Sequence, residues 1–191
     1  MTDRLVMVVG LGNPGLTYEA TRHNVGFWAV ADLADRHGTS FSLNSRLKAE
    51  VATFTRPEAK YVLAKPTTFM NLSGQAVAAL LRFYKVQPAD LIVVHDEIDL
   101  DPSRLRLKFG GGDNGHNGLK SIRGQIGTGD FHRVRVGVGR GPGSQAAADW
   151  VLRKLRPKEL DELRVDAAIA ADAVEHLVAE GLESAQNRYN S

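Results

Sequence analysis

Two spacings of apolar residues take turns along this chain, one of period two and one of three to four. "RLVMVV" (4–9) is a short apolar run ending at glycine and predicts a buried strand. From about Asn24 to Arg36, "NVGFWAVADLADR" predicts a helix, with Asn24 as N-cap and His37 and Gly38 as its stop. "AEVATF" (49–54) and "KYVLAK" (60–65) flank "TRPE" and predict a hairpin. In "NLSGQAVAALLRFYKV" (71–86), Leu72, Ala76, Ala79, Leu80 and Phe83 fall at helical spacing, with Ser73 as a cap and Pro88 closing the segment. "DLIVVHDEIDL" (90–100) opens with the most hydrophobic strand of the chain and runs into acids. "RLRLKF" (104–109) and "HRVRVGVGR" (132–140) alternate, as strands with one polar face do. Between them "GGGDNGHNGLKSIRGQI" passes from a loop into a helix near Asn117. "SQAAADWVLRKL" and the long "PKELDELRVDAAIAADAVEHLVAEG" predict two further helices. In the last of these Leu160, Leu163, Ala167, Ala170, Val174 and Leu177 mark one face, and Pro157 stands in the first turn, where proline is tolerated.

Strands and helices interleave, with one early hairpin and no repeat. The expected architecture is α/β: a single three-layer domain over residues 1–191, with a mixed, mainly parallel central sheet and helices on both faces. In such sheets, sites lie beyond the carboxyl ends of the strands. That puts "GLGNPG", "HDE" and "GGGDNGHNG" on one shared rim. The "LTYEATRH" stretch reads as irregular, and the polar tail from about residue 183 is expected to be mobile.

Composition excludes several classes of function. With 191 residues, 43% hydrophobic and 24% charged, the chain has the make-up of a globular domain. It has no cysteine, which excludes a disulfide scaffold, thiol catalysis and thiolate zinc sites. The opening apolar run is too short for a signal peptide, and no run approaches the roughly 20 residues of a membrane span. The expectation is a cytoplasmic protein that does not engage membranes. A net charge of +2 says little about nucleic acid. The distribution of that charge says more. Arg104, Arg106 and Lys108 share one strand face, Arg133 and Arg135 share another, and Lys120 and Arg123 follow the glycine loop. These strips suit either a solvated sheet face or a phosphate-binding surface beside free backbone N–H groups.

Gly10, Gly12 and Gly15 form a Gly-x-Gly-x-x-Gly pattern after the first strand. A dinucleotide loop needs a helix at once, and an acid about 20 residues on, after a second strand. Here the helix starts only near Asn24, and Asp32 and Asp35 lie within it. The glycines are better read as a tight turn that brings Asn13 and "TRHN" to the strand end. His23 then stands between a glycine turn and a helix start. Such a histidine can take a proton from water if a carboxylate orients its ring. Asp96, Glu97 and Asp99 follow "LIVV", and Asp96, nearest the strand end, is the preferred partner. The plain alternative is a solvated acidic turn, expected of at least two of the three. A metal site at His95, Asp96, Glu97 and Asp99 lacks a second histidine at ligand spacing, so no metal is expected. No Gly-x-Ser-x-Gly elbow occurs, which leaves base-activated water as the simplest chemistry. Asn13, Asn71 and Asn117 could offer amides to a carbonyl or oxyanion; Asn71 and Asn117 could equally be helix caps. A non-catalytic RNA-binding module and a dinucleotide-dependent oxidoreductase are the rival classes.

The stretches "VGLGNPGLTYEATRHNVGF", "KPTTFMNLSGQAV", "HDEIDLDPSRLRLKFGGGDNGHNGLKSI" and "FHRVRVGVGRGP" occur in the order in which they stand in bacterial peptidyl-tRNA hydrolases, and the chain resembles that family over nearly its full length. The resemblance implies an enzyme that cleaves the ester between a peptide and the 3′ ribose of tRNA. It implies a monomer with no organic cofactor or required metal, whose partner is peptidyl-tRNA, bound by its acceptor end and its peptide. It makes His23 the catalytic base and Asp96 its orienting carboxylate. It makes Asn13, Tyr18, Met70, Asn71, His116 and Asn117 substrate-contacting residues, with Tyr18 an aromatic wall and His116 part of a gate-like segment. Lys108 and Arg135 resemble the pair that clamps the tRNA 5′ phosphate. One departure is Asn114 after Asp113, where the family usually has glycine.

Overall fold

The computed structural model describes residues 3–143 and 146–190. In chain order the elements are β1 (Leu5–Gly10), α1 (Leu16–Glu19), α2 (Val25–Arg36), β2 (Ser42–Asn44), β3 (Ala49–Arg56), β4 (Ala59–Pro66) and α3 (Ser73–Tyr84). There follow β5 (Leu91–Glu97), β6 (Leu105–Phe109), α4 (Asn117–Ile126), β7 (His132–Gly137), α5 (Ala147–Leu152), α6 (Pro157–Glu180) and α7 (Leu182–Tyr189). The strands form one sheet in the order β2-β3-β4-β1-β5-β7-β6. Its centre, β4-β1-β5-β7, is parallel. The β2–β3, β3–β4 and β6–β7 pairs are antiparallel.

Both faces of the parallel centre are covered, which is why its strands read as continuous apolar runs. Val6, Val8, Ile92 and Val94 pack beneath α2 and α6. Met7, Val9, Leu91 and Val93 pack beneath α3 and α4. The chain leaves β1 for β4 on one side and later enters β5 on the other. The order therefore reverses about β1, and the carboxyl ends of β1 and β5 form the switch-point crevice where α/β sheets bind ligands.

Helix α2 crosses this crevice closely because Gly26 has no side chain. A Cβ there would fall inside van der Waals contact of Leu11 N and Val94 O. Gly26→Ala is therefore expected to destabilise the fold by about 3 kcal/mol, the upper end of ordinary overpacking costs. A fall of about 1–3 M in the urea midpoint at unchanged m-value would show it.

Local boundaries differ from expectation where side chains found better partners. Helix α3 starts at Ser73, because Asn71 lies in a 3-10 turn, Met70–Leu72, and Ser73 Oγ donates back to Met70 O at 2.7 Å. The "LTYEATRH" stretch holds the short α1. The "SQAAADWVLRKL" helix is α5, and its expected start, Ser144 and Gln145, lies outside the described residues. The segment after residue 183, expected to be mobile, is drawn into helix α7 with Ala185 buried. The cause is the open edge of the sheet. Strand β6 is an edge strand, and Asn190 Oδ1 accepts its Leu107 N–H at 2.7 Å while Gln186 Nε2 donates to Leu107 O at 3.1 Å.

Candidate active site

His23 sits in a 3-10 turn, Arg22–Asn24, that leads into α2. The turn is held from two sides. In front, the Asn24 amide clasps the backbone of Asn13: it accepts Asn13 N–H at 2.8 Å and donates to Asn13 O at 2.9 Å. Asn24 stands at the N-cap position of α2 as expected, but its side chain serves the glycine turn and makes no capping bond. Behind, the Arg22 guanidinium lies 3.6 Å from the Trp150 ring centroid and pairs with Glu159 at 3.1 Å. Leu155 N donates to Ala20 O at 2.8 Å, so the chain after α5 is bonded to the segment that carries His23. The sequence contained no sign of this rear brace, because its members lie far apart along the chain.

His23 Nδ1 meets Asp96 Oδ2 at 2.8 Å. Asp96 is the sixth residue of β5, and its side chain is only 2% exposed, while that of His23 is 13% exposed. The expectation of a mostly solvated acidic turn is corrected here. Strand β5 continues through Glu97, so Asp96 and Glu97 are both buried, and of the three acids only Asp99 has substantial exposure.

The other oxygen of Asp96, Oδ1, meets His116 Nε2 at 2.8 Å. His116 is also the N-cap of α4, where its Nδ1 accepts Gly118 N–H at 3.1 Å and Leu119 N–H at 3.3 Å. An Nδ1 that accepts two N–H bonds carries no proton, so the proton is on Nε2 and donates to Asp96. The cap expected of Asn117 is thus supplied by its neighbour, and Asn117 is left to line the cleft. The sequence reading placed His116 among the substrate contacts and gave no sign of its bond to Asp96.

Burial works to lower the pKa of His23, but the charge of Asp96 and its hydrogen bond outweigh it, and the pKa is raised above 6.5. Burial alone would raise the Asp96 pKa; the two flanking imidazoles overcome this and hold it far below the usual carboxylate range. His95, wholly buried on the opposite face of β5, is pushed down to about 3, chiefly by burial and then by His116. It is a neutral core histidine, whose Nδ1 bonds Asp96 O at 2.8 Å. His23, Asp96 and His116 each present a ligand atom within 4.8 Å of the others, a spacing a metal ion can use. The same atoms are already joined in the two 2.8 Å hydrogen bonds, the arrangement of a carboxylate that orients imidazoles.

His23, Asp96, Asn114, His116 and Asn117 line a cleft of about 170 Å³, closed on one side by the apolar face of α5, Ala147, Val151 and Leu152. Asn13 stands at the base of a larger hollow of about 470 Å³, bounded by Phe27, Trp28 and Lys65, which contains none of the titrating groups above. Asn13 Oδ1 accepts Met70 N–H at 2.6 Å, which fixes the amide with Nδ2 as its available end. Met70 is buried against α4, where a Cβ on Gly118 would meet its Sδ at 2.7 Å. Asn71, next in the chain, is exposed. Tyr18 meets Phe69 edge-on with ring centroids 6.1 Å apart.

The basic strips resolve unequally. Arg133, expected beside Arg135 on a solvated or phosphate-binding face, is fully buried. It donates to Gly112 O, to Gly111 O at 2.9 Å and to Gly129 O at 3.0 Å, and so holds the glycine loop from inside. Lys108 and Arg135 stay partly exposed. Asn114 adopts φ 52°, a left-handed conformation that asparagine tolerates, and Asp113 pairs with Arg123 at 3.3 Å. The departure at these two positions therefore keeps the turn, and the added charge is answered by Arg123 on α4.

A three-layer α/β domain with this histidine–carboxylate site falls among the hydrolases. Comparison with known proteins narrows the class. The peptidyl-tRNA hydrolase family model matches residues 7–191, and the chain belongs to that family. It is 52% identical over 186 residues to the peptidyl-tRNA hydrolase of Mycobacterium marinum, covering 97% of each chain. It is 54% identical over 185 residues to that of Frankia casuarinae, covering 97% of this chain and 93% of the relative. The crystal structure of peptidyl-tRNA hydrolase from Acinetobacter baumannii superposes with a TM-score of 0.90 at 36% identity, covering 98% of this chain and 95% of that one.

Proposed function

We propose that this chain hydrolyses peptidyl-tRNA at the ester linking the peptide to the 3′ ribose, with His23 as the base that activates water. The observation that carries the mechanism is the 2.8 Å bond from His23 Nδ1 to a buried Asp96. A carboxylate partner at that nitrogen favours the tautomer with its proton on Nδ1, in which Nε2 accepts a proton from water. The hydroxide adds to the ester carbonyl, and the tetrahedral intermediate collapses by expelling the ribose oxygen. His23 returns the proton to that oxygen, leaving a tRNA 3′-hydroxyl and a peptide carboxylic acid, which loses its proton to solvent and departs as the carboxylate. The Asn117 amide in the same cleft is suited to hold the developing oxyanion, and the available Nδ2 of Asn13 to contact the peptide from the larger hollow. Asn71, exposed beside Met70, is suited to contact the blocked amine that distinguishes a peptidyl from an aminoacyl group. The Tyr18–Phe69 edge contact supports an aromatic wall for the substrate.

Lys108 and Arg135 are read as the clamp for the tRNA 5′ phosphate. Burial and the charges of Arg135 and Arg133 lower the Lys108 pKa, and among the described residues Lys108 makes no ion pair. A phosphate would relieve this crowding of like charges. The site is assembled from one chain, which fits a monomer acting as a single domain, and a substrate produced by translation fits the cytoplasm. No described helix is long and apolar enough to cross a membrane.

The test is release of free tRNA from N-blocked aminoacyl-tRNA, with unblocked aminoacyl-tRNA alongside. Rapid release from the blocked substrate and slow release from the other is the expected result. Binding of tRNA without release would leave only the RNA-binding module.

A further inference from the structure

Glu97 is the last residue of β5, next to the carboxylate that orients His23, yet its side chain goes to the other face of the strand. That side chain is 6% exposed and touches three segments. Oε1 accepts from Arg135 Nε on β7 at 3.2 Å and forms an ion pair with Nη2 at 3.1 Å. Oε2 accepts from the Asn114 amide in the glycine loop at 3.1 Å and from Asp99 N at 3.3 Å.

Around it the cations are dense. Arg106 is directly opposite Arg135 across the β6–β7 ladder, and Lys108 is opposite Arg133. Like charges facing one another across strands repel. Arg133 is committed to three loop carbonyls, and Lys108 lies against the glycine loop, where a Cβ on Gly111 would meet its Nζ at 2.9 Å. Among the described residues, Arg135 alone of these four cations pairs with a carboxylate, and Glu97 supplies it. Arg135 Nη1 makes no hydrogen bond among the described residues, so one end of the guanidinium is gripped and the other remains available.

We propose that Glu97 is a positioning residue that makes the enzyme sense the tRNA 5′ phosphate. It holds Arg135 by one edge against the repulsion of its neighbours, so that the free end stands with Lys108, and it ties this pair through Asn114 to the loop over the cleft. The inference rests on reading Lys108 and Arg135 as the phosphate clamp. Without the carboxylate, Arg135 swings away from Arg106 and Lys108 and must be re-ordered whenever a phosphate binds.

The readout is the ratio of kcat/KM for N-blocked aminoacyl-tRNA bearing a 5′ phosphate to that for the same RNA with a 5′ hydroxyl. In Glu97→Gln the ratio is expected to fall about two- to tenfold, the cost of ordering one rotamer-rich side chain on binding, with kcat on the 5′-hydroxyl substrate little changed. Simple removal of a negative charge beside the clamp predicts the opposite, a higher ratio, and that result overturns the proposal. General damage to the fold lowers both substrates together; an unchanged ratio also overturns it. If Glu97→Gln does not fold, Glu97→Asp keeps the charge but shortens the arm, and the same fall is expected. Lys108→Ala separates the two readings. A wild-type ratio near one, unmoved by Lys108→Ala, removes the clamp and this inference with it. A large wild-type ratio that Lys108→Ala abolishes but Glu97→Gln preserves removes Glu97 alone.

Discussion

Replacing His23 with alanine is expected to lower kcat on N-blocked aminoacyl-tRNA roughly 10²- to 10⁴-fold, the usual worth of a positioned general base, while tRNA affinity stays near wild type. The separation follows from geometry. The phosphate-binding candidates lie on β6 and β7, whereas His23 sits on the turn before α2 and is held there by backbone and neighbour contacts that alanine keeps. The Asn24–Asn13 clasp, the Arg22–Trp150 stack and the Leu155–Ala20 bond do not involve the His23 side chain. Single-turnover kinetics with a tRNA-binding titration on the same preparation measures both quantities. Near wild-type ester cleavage by the variant removes His23 from the mechanism.

Asp96→Asn is expected to cost a comparable roughly 10²–10⁴ in kcat, for a reason set by His116. The Nδ1 of His116 is committed to accepting two N–H groups at the start of α4, so its Nε2 must donate. The single amide oxygen of an asparagine at position 96 therefore turns to His116, and its NH₂ turns to His23 Nδ1. That reverses the His23 tautomer: Nδ1 must accept, the proton moves to Nε2, and the base is gone. The pH profile carries a second signature. In the wild type the His23 pKa is raised above 6.5 because the Asp96 charge and hydrogen bond outweigh burial. The base works only when neutral, so activity falls as pH drops through that pKa, and the acidic limb of kcat/KM lies above pH 6.5. With asparagine the raising influences are lost and burial remains, so whatever limb persists moves below pH 6.5. An unshifted limb shows that the group titrating in the profile is not His23.

Much of the layout was legible because it rests on local chemistry. The apolar runs at 4–9 and 91–94, the hairpin around Pro57 and the helical spacing from Leu163 to Leu177 specify strands and helices whatever surrounds them. The one-turn α1 begins directly after Gly15, against expectation, but the long helix α2 starts only at Val25, and that later start still tells against a dinucleotide loop. His23 and Asp96 could be paired in prospect because each lies next to the carboxyl end of a parallel strand, where such sheets gather their loops. Several features were not legible because they depend on what packs across the sheet. Glu97 looks like part of a solvated acidic turn and Arg133 like a surface charge in an alternating strand, but a partner on another element takes each into the interior. The docking of α7 depends on the open edge of β6, and a polar tail does not announce the edge it will meet.

The sequence by itself determined the order of the main strands and helices, the family and the pair of residues on which the chemistry is proposed to turn, because periodicity and short motifs are written in neighbouring positions; the short β2, α1 and α7 were not among them. Only the tertiary structure decided that Asp96 serves two histidines, that the cap of α4 locks the tautomer of one of them, and that the cations of the β6–β7 edge divide among loop, carboxylate and solvent. Those outcomes are set by hydrogen-bond direction and burial between groups distant in the chain, and neither exists until the sheet has closed the distance.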